Sequence, residues 1–435
     1  MDKVEPQFSS KVIHLLTEKN KDTIFNQIAD WGPMMWHAAC FTVQAHGIAP
    51  LLYRVLTDLD VLDNFDKGFR DYIRDQYFLN RERIGRIQEI LQTLLAQANY
   101  HHIPVMPLKG SILINSYYPD PAVRPMADID LLIYPENIEQ LSRLLESMGF
   151  RALVSYHHKV YTNSIKPVSF DGEHPDNPIK IELHHAAQWP IGLLDLDMTD
   201  VIWEKSENNY LGFSSIFSPA RERLLLMLIC HNARNQFNGW MRLFHLHDIS
   251  IVTRRMDDEQ WSELGAIVQE HGLERVMFSV LSIAKRFIGI DLPDGFLEEQ
   301  KWNTPPKLQS QVKTQTLDSL IRLHEYKLLT LKLGQRSSQV NQQMFGIYQL
   351  ILFTIVQSMK FNWFFSGKET KQEIIQVISP SNYIKDKWGN LLARIIYWLI
   401  IPIALVPIIV IGTHRREKLL SRLKISLLRH LYAPY

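Results

Sequence analysis

Two aspartates stand one residue apart in RPMADIDLLIYPE, residues 124–136, a stretch that otherwise has the apolar character of a buried strand. Residues two apart on a strand project from the same face, so Asp128 and Asp130 would hold their carboxylates side by side while Ile129 and Leu131 enter the core. Like charges this close repel each other unless a cation lies between them. A divalent cation that prefers oxygen ligands, Mg²⁺ or Mn²⁺, would satisfy both carboxylates.

A third carboxylate follows in IKIELHH, where Glu182 stands between Ile181 and Leu183 in the same apolar, acidic, apolar pattern. Three carboxylates on adjacent strands can hold two metal ions about 3.5 to 4 Å apart, an arrangement that serves in-line phosphoryl displacement. Taken alone, the aspartate pair is more typical of a strand end whose carboxylates cap a helix or meet water. The ordered set favours a metal site formed by Asp128, Asp130 and Glu182.

A turn before these strands has the residues of a phosphate-binding loop. In IPVMPLKGS the prolines exclude a long helix and favour a short strand that ends at Lys109, Gly110 and Ser111. A glycine between a strand and a helix lets backbone N–H groups and a hydroxyl approach phosphate oxygens. Lys109 and Arg124 would add positive charge for a triphosphate, although each taken singly is equally well explained as a surface charge.

The elements that must position these residues form a small sheet among helices. Ile84, Ile87 and Leu91 belong to an apolar series at helical spacing, which predicts an amphipathic helix before the first strand. Further predicted elements are a helix at about 111–118, a helix in NIEQLSRLLESMGF that stops at Gly149, and strands in FRALVSYHHKVYTN, KPVSF and IKIELHHA.

The order of elements predicts an α+β fold, with a small mixed-sheet core embedded between N-terminal helices and a C-terminal helical domain. We predict four regions: residues 1–84 are helical, 85–215 form the sheet core, 216–345 form a helical domain, and 346–435 form a hydrophobic and basic helical region.

Composition excludes several classes of protein. The chain has 435 residues, with 47 Lys and Arg against 46 Asp and Glu, and the resulting formal charge of +1 argues against bulk coating of nucleic acid. Its two cysteines lie far apart, which favours neither a disulfide framework nor a zinc knuckle and suits a reducing cytoplasm. The first 20 residues lack the apolar stretch of a signal peptide, so we expect this part to stay in the cytoplasm.

The stretch LKGSILINSYYPDPAVRPMADIDLLI together with IELHH resembles the bacterial uncharacterised nucleotidyltransferase family of the DNA polymerase beta-like superfamily. HGIAPLLYRVL, LLLMLICHNARNQ and LFHLHDISIVT are similar to that family too, so the resemblance spans about residues 30–300. It implies that Gly110 and Ser111 contact phosphate, that Asp128 and Asp130 hold metal, and that Glu182 activates the acceptor. The gap between the turn and the aspartates is longer than in compact members of the superfamily, and the third acid is Glu where Asp is common.

Other polar residues have two interpretations each. His231, Arg242 and Asp248 stand on two helical segments after the core, where they would either line the cleft for the acceptor or base or form a buried network between helices. His184 and His185 are interpreted as hydrogen-bonded structural residues, because a histidine on a strand beside a helical domain most often has that role.

The C-terminal region raises the question of a membrane. Residues 395–413, IIYWLIIPIALVPIIVIGT, are uncharged but contain Pro402 and Pro407, and the basic stretch that follows would lie on the wrong side after a single crossing. A re-entrant or interfacial segment at the inner membrane keeps both flanks inside. The tail RREKLLSRLKISLLRHLY has an apolar stripe opposite basic residues, as in helices that lie on anionic membranes. The alternative is a hydrophobic hairpin packed on the protein itself or on a second copy.

Two functions of different class follow. The first is a metal-dependent nucleotidyltransferase that moves an NMP from an NTP to an acceptor hydroxyl and releases pyrophosphate. The acceptor would be a small molecule, a sugar, a protein or an RNA end. The second is a non-catalytic scaffold or adaptor that keeps the fold, at a membrane or in the cytoplasm.

Overall fold

The computed structural model describes residues 8–153, 159–163, 174, 176–191 and 194–321. These residues lie within the first of two compact units, Met1–Leu328, and the second unit, Leu329–Tyr435, falls outside the described part. The predicted strand KPVSF, the segment 395–413 and the basic tail also lie outside it. Within the described ranges, no helix is both long enough and apolar enough to cross a membrane.

Among the described residues, five α-helices precede the sheet, and the longest is the amphipathic helix that the spacing of Ile84, Ile87 and Leu91 predicts. Their bounds are α1 Phe8–Thr17, α2 Lys21–Ile28, α3 Pro33–Ala45, α4 Ala49–Asp58 and α5 Lys67–Tyr100. Helix α5 begins at the cap residue Asp66, whose side chain accepts a hydrogen bond from the N–H of Phe69 at 3.0 Å. It is 34 residues long and lays an apolar stripe across one face of the sheet.

The sheet core contains short strands with helices between them. The elements are β1 Val105–Pro107, α6 Gly110–Ser116, β2 Asp128–Ile133, α7 Ile138–Ser147, β3 Arg151–Leu153, β4 Lys159–Thr162 and β5 Lys180–His184. Helix α7 ends just before Gly149, whose φ of 86° is the left-handed conformation that glycine adopts readily after a helix. The prediction of a single strand over FRALVSYHHKVYTN is wrong, because β3 and β4 pair with each other in antiparallel fashion.

The five strands form one mixed sheet in the order β1, β2, β5, β4, β3. β2 and β5 are parallel neighbours, and the other adjacent pairs are antiparallel. Ile129 and Leu131 are fully buried against α5 and α7, in the same cluster as Ile181 and Leu183 of β5. The predicted α+β fold with a small mixed sheet among helices is therefore confirmed.

A hairpin and a series of helices follow the sheet. Their bounds are β6 Gln188–Ile191, β7 Leu194–Asp197, α8 Thr199–Glu204, α9 Arg221–Asn238, α10 Leu243–Thr253, α11 Asp258–Glu270, α12 Glu274–Ile288, α13 Phe296–Trp302, α14 Pro306–Thr314 and α15 Leu317–Leu320. The hairpin of β6 and β7 was not expected from the sequence. The helical character after residue 216 agrees with the prediction, while the predicted domain bounds stay predictions.

Candidate active site

The acidic residues of β2 and β5 meet where the two strands run parallel. The register pairs Asp130 with Glu182 and Asp128 with Lys180, so three carboxylates converge on the face of the sheet opposite α5. Asp130 is 5% exposed, whereas Asp128 is half-buried. The three carboxylates share this face because apolar and acidic residues alternate along each strand, and every second side chain points into the core.

Asp130 has two cationic or hydrogen-bonding neighbours. Lys109 Nζ donates to its Oδ1 at 2.8 Å, and His184 Nε2 lies 2.8 Å from the same oxygen. The same imidazole nitrogen is 3.6 Å from Glu182 Oε2. His184 therefore belongs to the site, and its position two residues after Glu182 on one face of β5 was the sequence signal for it.

Charge in this cluster is unevenly distributed between the two aspartates. Burial acts to raise the pKa of Asp130, but the Lys109 ammonium and the His184 hydrogen bond outweigh burial and lower it. Burial, followed by the charges of Asp130 and Glu182, raises the pKa of Asp128 to about 7. The pKa of Lys109 is raised because Asp130 outweighs the opposite effect of burial. Negative charge at Asp128 is thus only partly compensated by the protein.

The donor set fits a divalent cation. Asp130, Glu182 and His184 each offer a ligand atom, and these atoms all lie within 4.8 Å of one another. Carboxylate oxygens suit Mg²⁺ and Mn²⁺, and an imidazole nitrogen is also accepted by transition metals. Asp128 borders this group on the same strand face, where burial and the charges of Asp130 and Glu182 raise its pKa.

The turn after β1 is attached directly to Asp130. The backbone N–H of Asp130 donates to Ser111 Oγ at 3.0 Å, and the Asp130 carbonyl accepts from the N–H of Leu108 at 3.0 Å. Lys109 has a φ of 47°, which an L-residue rarely adopts and which directs its side chain toward the acidic cluster in this fold. The predicted phosphate-binding turn of Lys109, Gly110 and Ser111 therefore lies beside the metal-site candidates.

Arg124 takes part in a buried ion pair with α10. Its Nε and Nη2 donate to the two carboxylate oxygens of Asp248 at 2.8 and 2.7 Å, and Tyr118 OH donates to the same carboxylate at 2.7 Å. The Nη1 atom of Arg124 lies so close to Gly110 that a Cβ added to this glycine would be 2.4 Å from it. Arg124 and Asp248 thus form a buried ion pair that packs against the turn at Gly110.

The other two predicted cleft residues differ in their surroundings: Arg242 binds the backbone of α3, whereas His231 lies near the acidic cluster. Arg242 Nε and Nη2 donate to the backbone carbonyls of Ala45 and Gln44, each at 3.0 Å, which joins α10 to α3. His231 on α9 is near enough to Lys109 and Asp130 to interact with their charges. Burial, followed by Lys109, lowers the pKa of His231 well below its ordinary value, so the imidazole is neutral.

A cavity of about 440 Å³ lies beside the end of β2. Tyr134 and Trp203 form one wall, with their rings stacked 4.3 Å apart between centroids. His185, Thr199 and Asp200 contribute polar groups to it. Sequence reasoning did not find this cavity, because Trp203 comes from α8, far from β2 in the chain.

Comparison with known protein families agrees with the geometry. Residues 32–289 match the model of the family described as uncharacterised nucleotidyltransferase, and this match covers more than half of the 435 residues. The chain belongs to that family, which confirms the resemblance found in its motifs. No curated protein and no solved structure gives a significant match. Family membership supports a transferase that uses a nucleotide substrate.

Proposed function

We propose that this protein is a metal-dependent nucleotidyltransferase that moves an NMP from an NTP to an acceptor hydroxyl. The observation that carries the proposal is the register of β2 and β5, which sets Asp130 beside Glu182, next to Asp128 and the Gly110–Ser111 turn. A bound Mg²⁺ or Mn²⁺ would supply Lewis acidity and neutralise the charge of the triphosphate. Asp130, Glu182 and His184 offer ligand atoms within 4.8 Å of one another, and we assign Asp128, on the same face of β2, as a further ligand of the cation.

The remaining chemistry is assigned to the chain's own groups. Glu182 takes the proton of the acceptor hydroxyl, whose oxygen forms a bond to the α-phosphorus as the bond to the β-phosphate oxygen breaks and pyrophosphate leaves. The Lys109 ammonium, which donates to Asp130, lies at the turn where the triphosphate would bind. It can neutralise part of the charge of the triphosphate. Gly110 would present its backbone N–H to the phosphates. The N–H of Ser111 already donates to the carbonyl of Leu108 at 2.9 Å, so Ser111 would contribute its hydroxyl, which also accepts from the N–H of Asp130.

A direct test is label transfer from each α-³²P NTP in the presence of Mg²⁺ or Mn²⁺ and a cell extract as the source of acceptors. We expect one labelled product with the wild-type protein and none with Asp128→Asn or Asp130→Asn. Asp75→Asn, which changes an exposed carboxylate on α5, serves as the matched control. Full transfer by Asp128→Asn under conditions where wild type needs the metal would contradict the proposal.

One observation favours the second candidate function, a non-catalytic scaffold or adaptor. Lys109 and His184 already contact Asp130, so that carboxylate is compensated without a metal. Calorimetry separates the two functions: the enzyme requires metal-dependent binding of an NTP, and a scaffold would show none. Binding of an NTP that requires Mg²⁺ and disappears in Asp130→Asn would exclude the scaffold.

Peripheral association with an anionic membrane is a separate part of the proposal. It is supported by the sequence alone, through the basic residues of RREKLLSRLK, 415–424, and the leucines between them. We expect the full chain to sediment with vesicles that contain phosphatidylglycerol and to stay in solution with neutral phosphatidylcholine vesicles. Equal sedimentation with both would contradict an electrostatic contribution from these residues.

A further inference from the structure

Arg83 lies in the middle of α5 with 1% of its surface exposed, and its guanidinium reaches the chain just before β2. Its Nε donates to the carbonyl of Met126 at 2.8 Å, and its Nη2 donates to the carbonyl of Ala127 at 2.7 Å. Ala127 immediately precedes Asp128. The helix that covers the sheet therefore holds the backbone from which the acidic strand starts.

The same guanidinium also reaches the chain that leads into β5. Its Nη1 donates to the carbonyls of Asn177 at 3.1 Å and His174 at 3.2 Å, and its Nη2 is 3.4 Å from the carbonyl of Pro178. Pro178 stands two residues before Lys180, where β5 begins. One side chain thus joins the approaches to both strands that carry the candidate metal ligands.

Only arginine can make this set of contacts. Its planar group has five N–H donors in a fixed fork that serves five carbonyls on two segments, whereas the ammonium of lysine has three donors on one nitrogen and cannot serve them all. Carbonyl oxygens around a buried cation also lower the cost of removing that cation from water. The fork sets the distance between the two segments, and the parallel ladder transmits that distance to Asp130 and Glu182.

We propose that Arg83 is a positioning residue that fixes the spacing of the two acid-bearing strands and thereby the affinity of the site for its cation. This inference rests on the proposed function only in that the site binds a metal. The geometric part, the fixing of both strand approaches by one guanidinium, is independent of any bound ion.

The test compares Arg83→Lys with Arg223→Lys in the full chain. Arg223 is an equally buried arginine, 2% exposed, whose guanidinium donates to Glu204 and Glu263 in the helical part after the sheet. Hydrogen exchange is measured by mass spectrometry on peptides that cover 126–133 and 176–184. Mn²⁺ affinity is measured by electron paramagnetic resonance.

We expect Arg83→Lys to speed exchange in those two peptides selectively and to weaken Mn²⁺ binding by about tenfold or more, the usual effect of losing an outer support of a metal ligand. Arg223→Lys should leave both readouts at the wild-type value. Wild-type exchange in the two peptides, or unchanged Mn²⁺ affinity of Arg83→Lys beside a wild type that binds, would overturn the inference.

Hydrogen exchange tests the positioning role of Arg83, whereas Mn²⁺ binding by wild type tests the metal site. Selective loosening of the two peptides in a protein whose wild type does not bind Mn²⁺ would support the positioning role and refute the metal site. If Arg83→Lys does not fold, Arg83→Gln, which retains two N–H donors, replaces it. Misfolding of both variants beside a folded Arg223→Lys would show a general structural role and overturn the proposal.

Discussion

Lys109 combines a left-handed backbone with a buried ion pair. Its φ is 47°, and its ammonium is 2.8 Å from Asp130 Oδ1, with the lysine side chain 17% and the aspartate side chain 6% exposed. Strained backbone at such a position persists only where the surrounding structure enforces it. Here the enforced conformation places a protein cation on a carboxylate that we assign to the metal site.

The first prediction concerns Lys109→Met in the absence of metal. Removing one partner of a buried pair leaves the charge of Asp130 with His184 as its remaining side-chain partner among the contacts described, so we expect a loss of about 3 kcal/mol in the free energy of unfolding, measured by urea denaturation. Mn²⁺ should restore more stability to this variant than it adds to wild type, because the competing ammonium is gone. Lys67→Met, which breaks an exposed pair with Asp71, should leave the free energy of unfolding close to the wild-type value.

Asp128 determines a second prediction, on pH dependence. Burial and the charges of Asp130 and Glu182 raise its pKa from 3.8 to about 7, so the folded state holds a proton that the unfolded state releases. The stability that this proton contributes is complete below about pH 4 and is lost as the pH rises toward 7. In metal-free protein, Asp128→Asn should therefore remove a decline in the free energy of unfolding between these pH values.

The contribution of Asp130 to the free energy of unfolding has the opposite pH dependence and changes in a more acidic range. Its pKa is lowered because Lys109 and His184 outweigh burial, so its contribution is present above the unfolded pKa and is lost as the pH falls into the acid range. The two aspartates can thus be distinguished in one set of denaturation curves. An Asp128→Asn curve that runs parallel to wild type from pH 4 to 7 would contradict the raised pKa.

At the scale of elements, the turn between β1 and α6 depends on the absence of a side chain at Gly110. A Cβ there would lie 2.4 Å from Arg124 Nη1 and 3.1 Å from Met126 Sδ. Arg124 cannot give way easily, since its other nitrogens hold Asp248. Glycine is therefore required here for close packing of the turn.

The third prediction compares two glycine-to-alanine variants by thermal unfolding. Gly110→Ala should destabilise the protein by about 1–3 kcal/mol, the usual cost of inserting a methyl group into a filled space. Gly85→Ala should instead stabilise it by about 0.5–1 kcal/mol, because Gly85 is an exposed residue inside α5 with nothing within 4 Å of the added Cβ. Equal effects of the two variants would show that Arg124 does not crowd the turn.

The fourth prediction concerns the pairing of the turn region with α10. Asp248→Asn should cost about 3–5 kcal/mol, because it leaves the buried Arg124 guanidinium without a counter-charge. Arg124→Met combined with Asp248→Asn should cost clearly less than the sum of the single changes, as measured in a double-mutant cycle. Additive effects would mean that the two side chains are not energetically coupled.

At the scale of the whole molecule, binding of a nucleotide should stabilise the folded chain. A ligand present at about a hundred times its dissociation constant adds about 2.7 kcal/mol to the free energy of unfolding. The fifth prediction is that an NTP with Mg²⁺ raises the melting temperature of wild type, whereas Asp130→Asn shows no increase. Asp75→Asn should respond like wild type, and an increase in Asp130→Asn equal to that in wild type would place nucleotide binding elsewhere.

Local pattern was sufficient for much of this architecture. Apolar residues at helical spacing predicted the long helix α5, and the apolar and acidic alternation around Asp128, Asp130 and Glu182 predicted strands with their acids on one face. The division of residues 150–163 into β3 and β4 was missed, because an apolar and aromatic run does not show where a chain reverses direction. The role of His184 was missed because its partner, Asp130, lies 54 residues away in the chain.

The sequence by itself determined which residues alternate toward the core, which acids share a face and which family the motifs resemble, since these depend on neighbours in the chain. Tertiary structure alone decided the partner of each charge: Lys109 and His184 contact Asp130, Arg124 binds Asp248, and Arg83 spans the approaches to two strands. Each of these contacts joins residues at least 21 positions apart. Strand periodicity orients a side chain, but only the packing of distant elements decides which charge it meets.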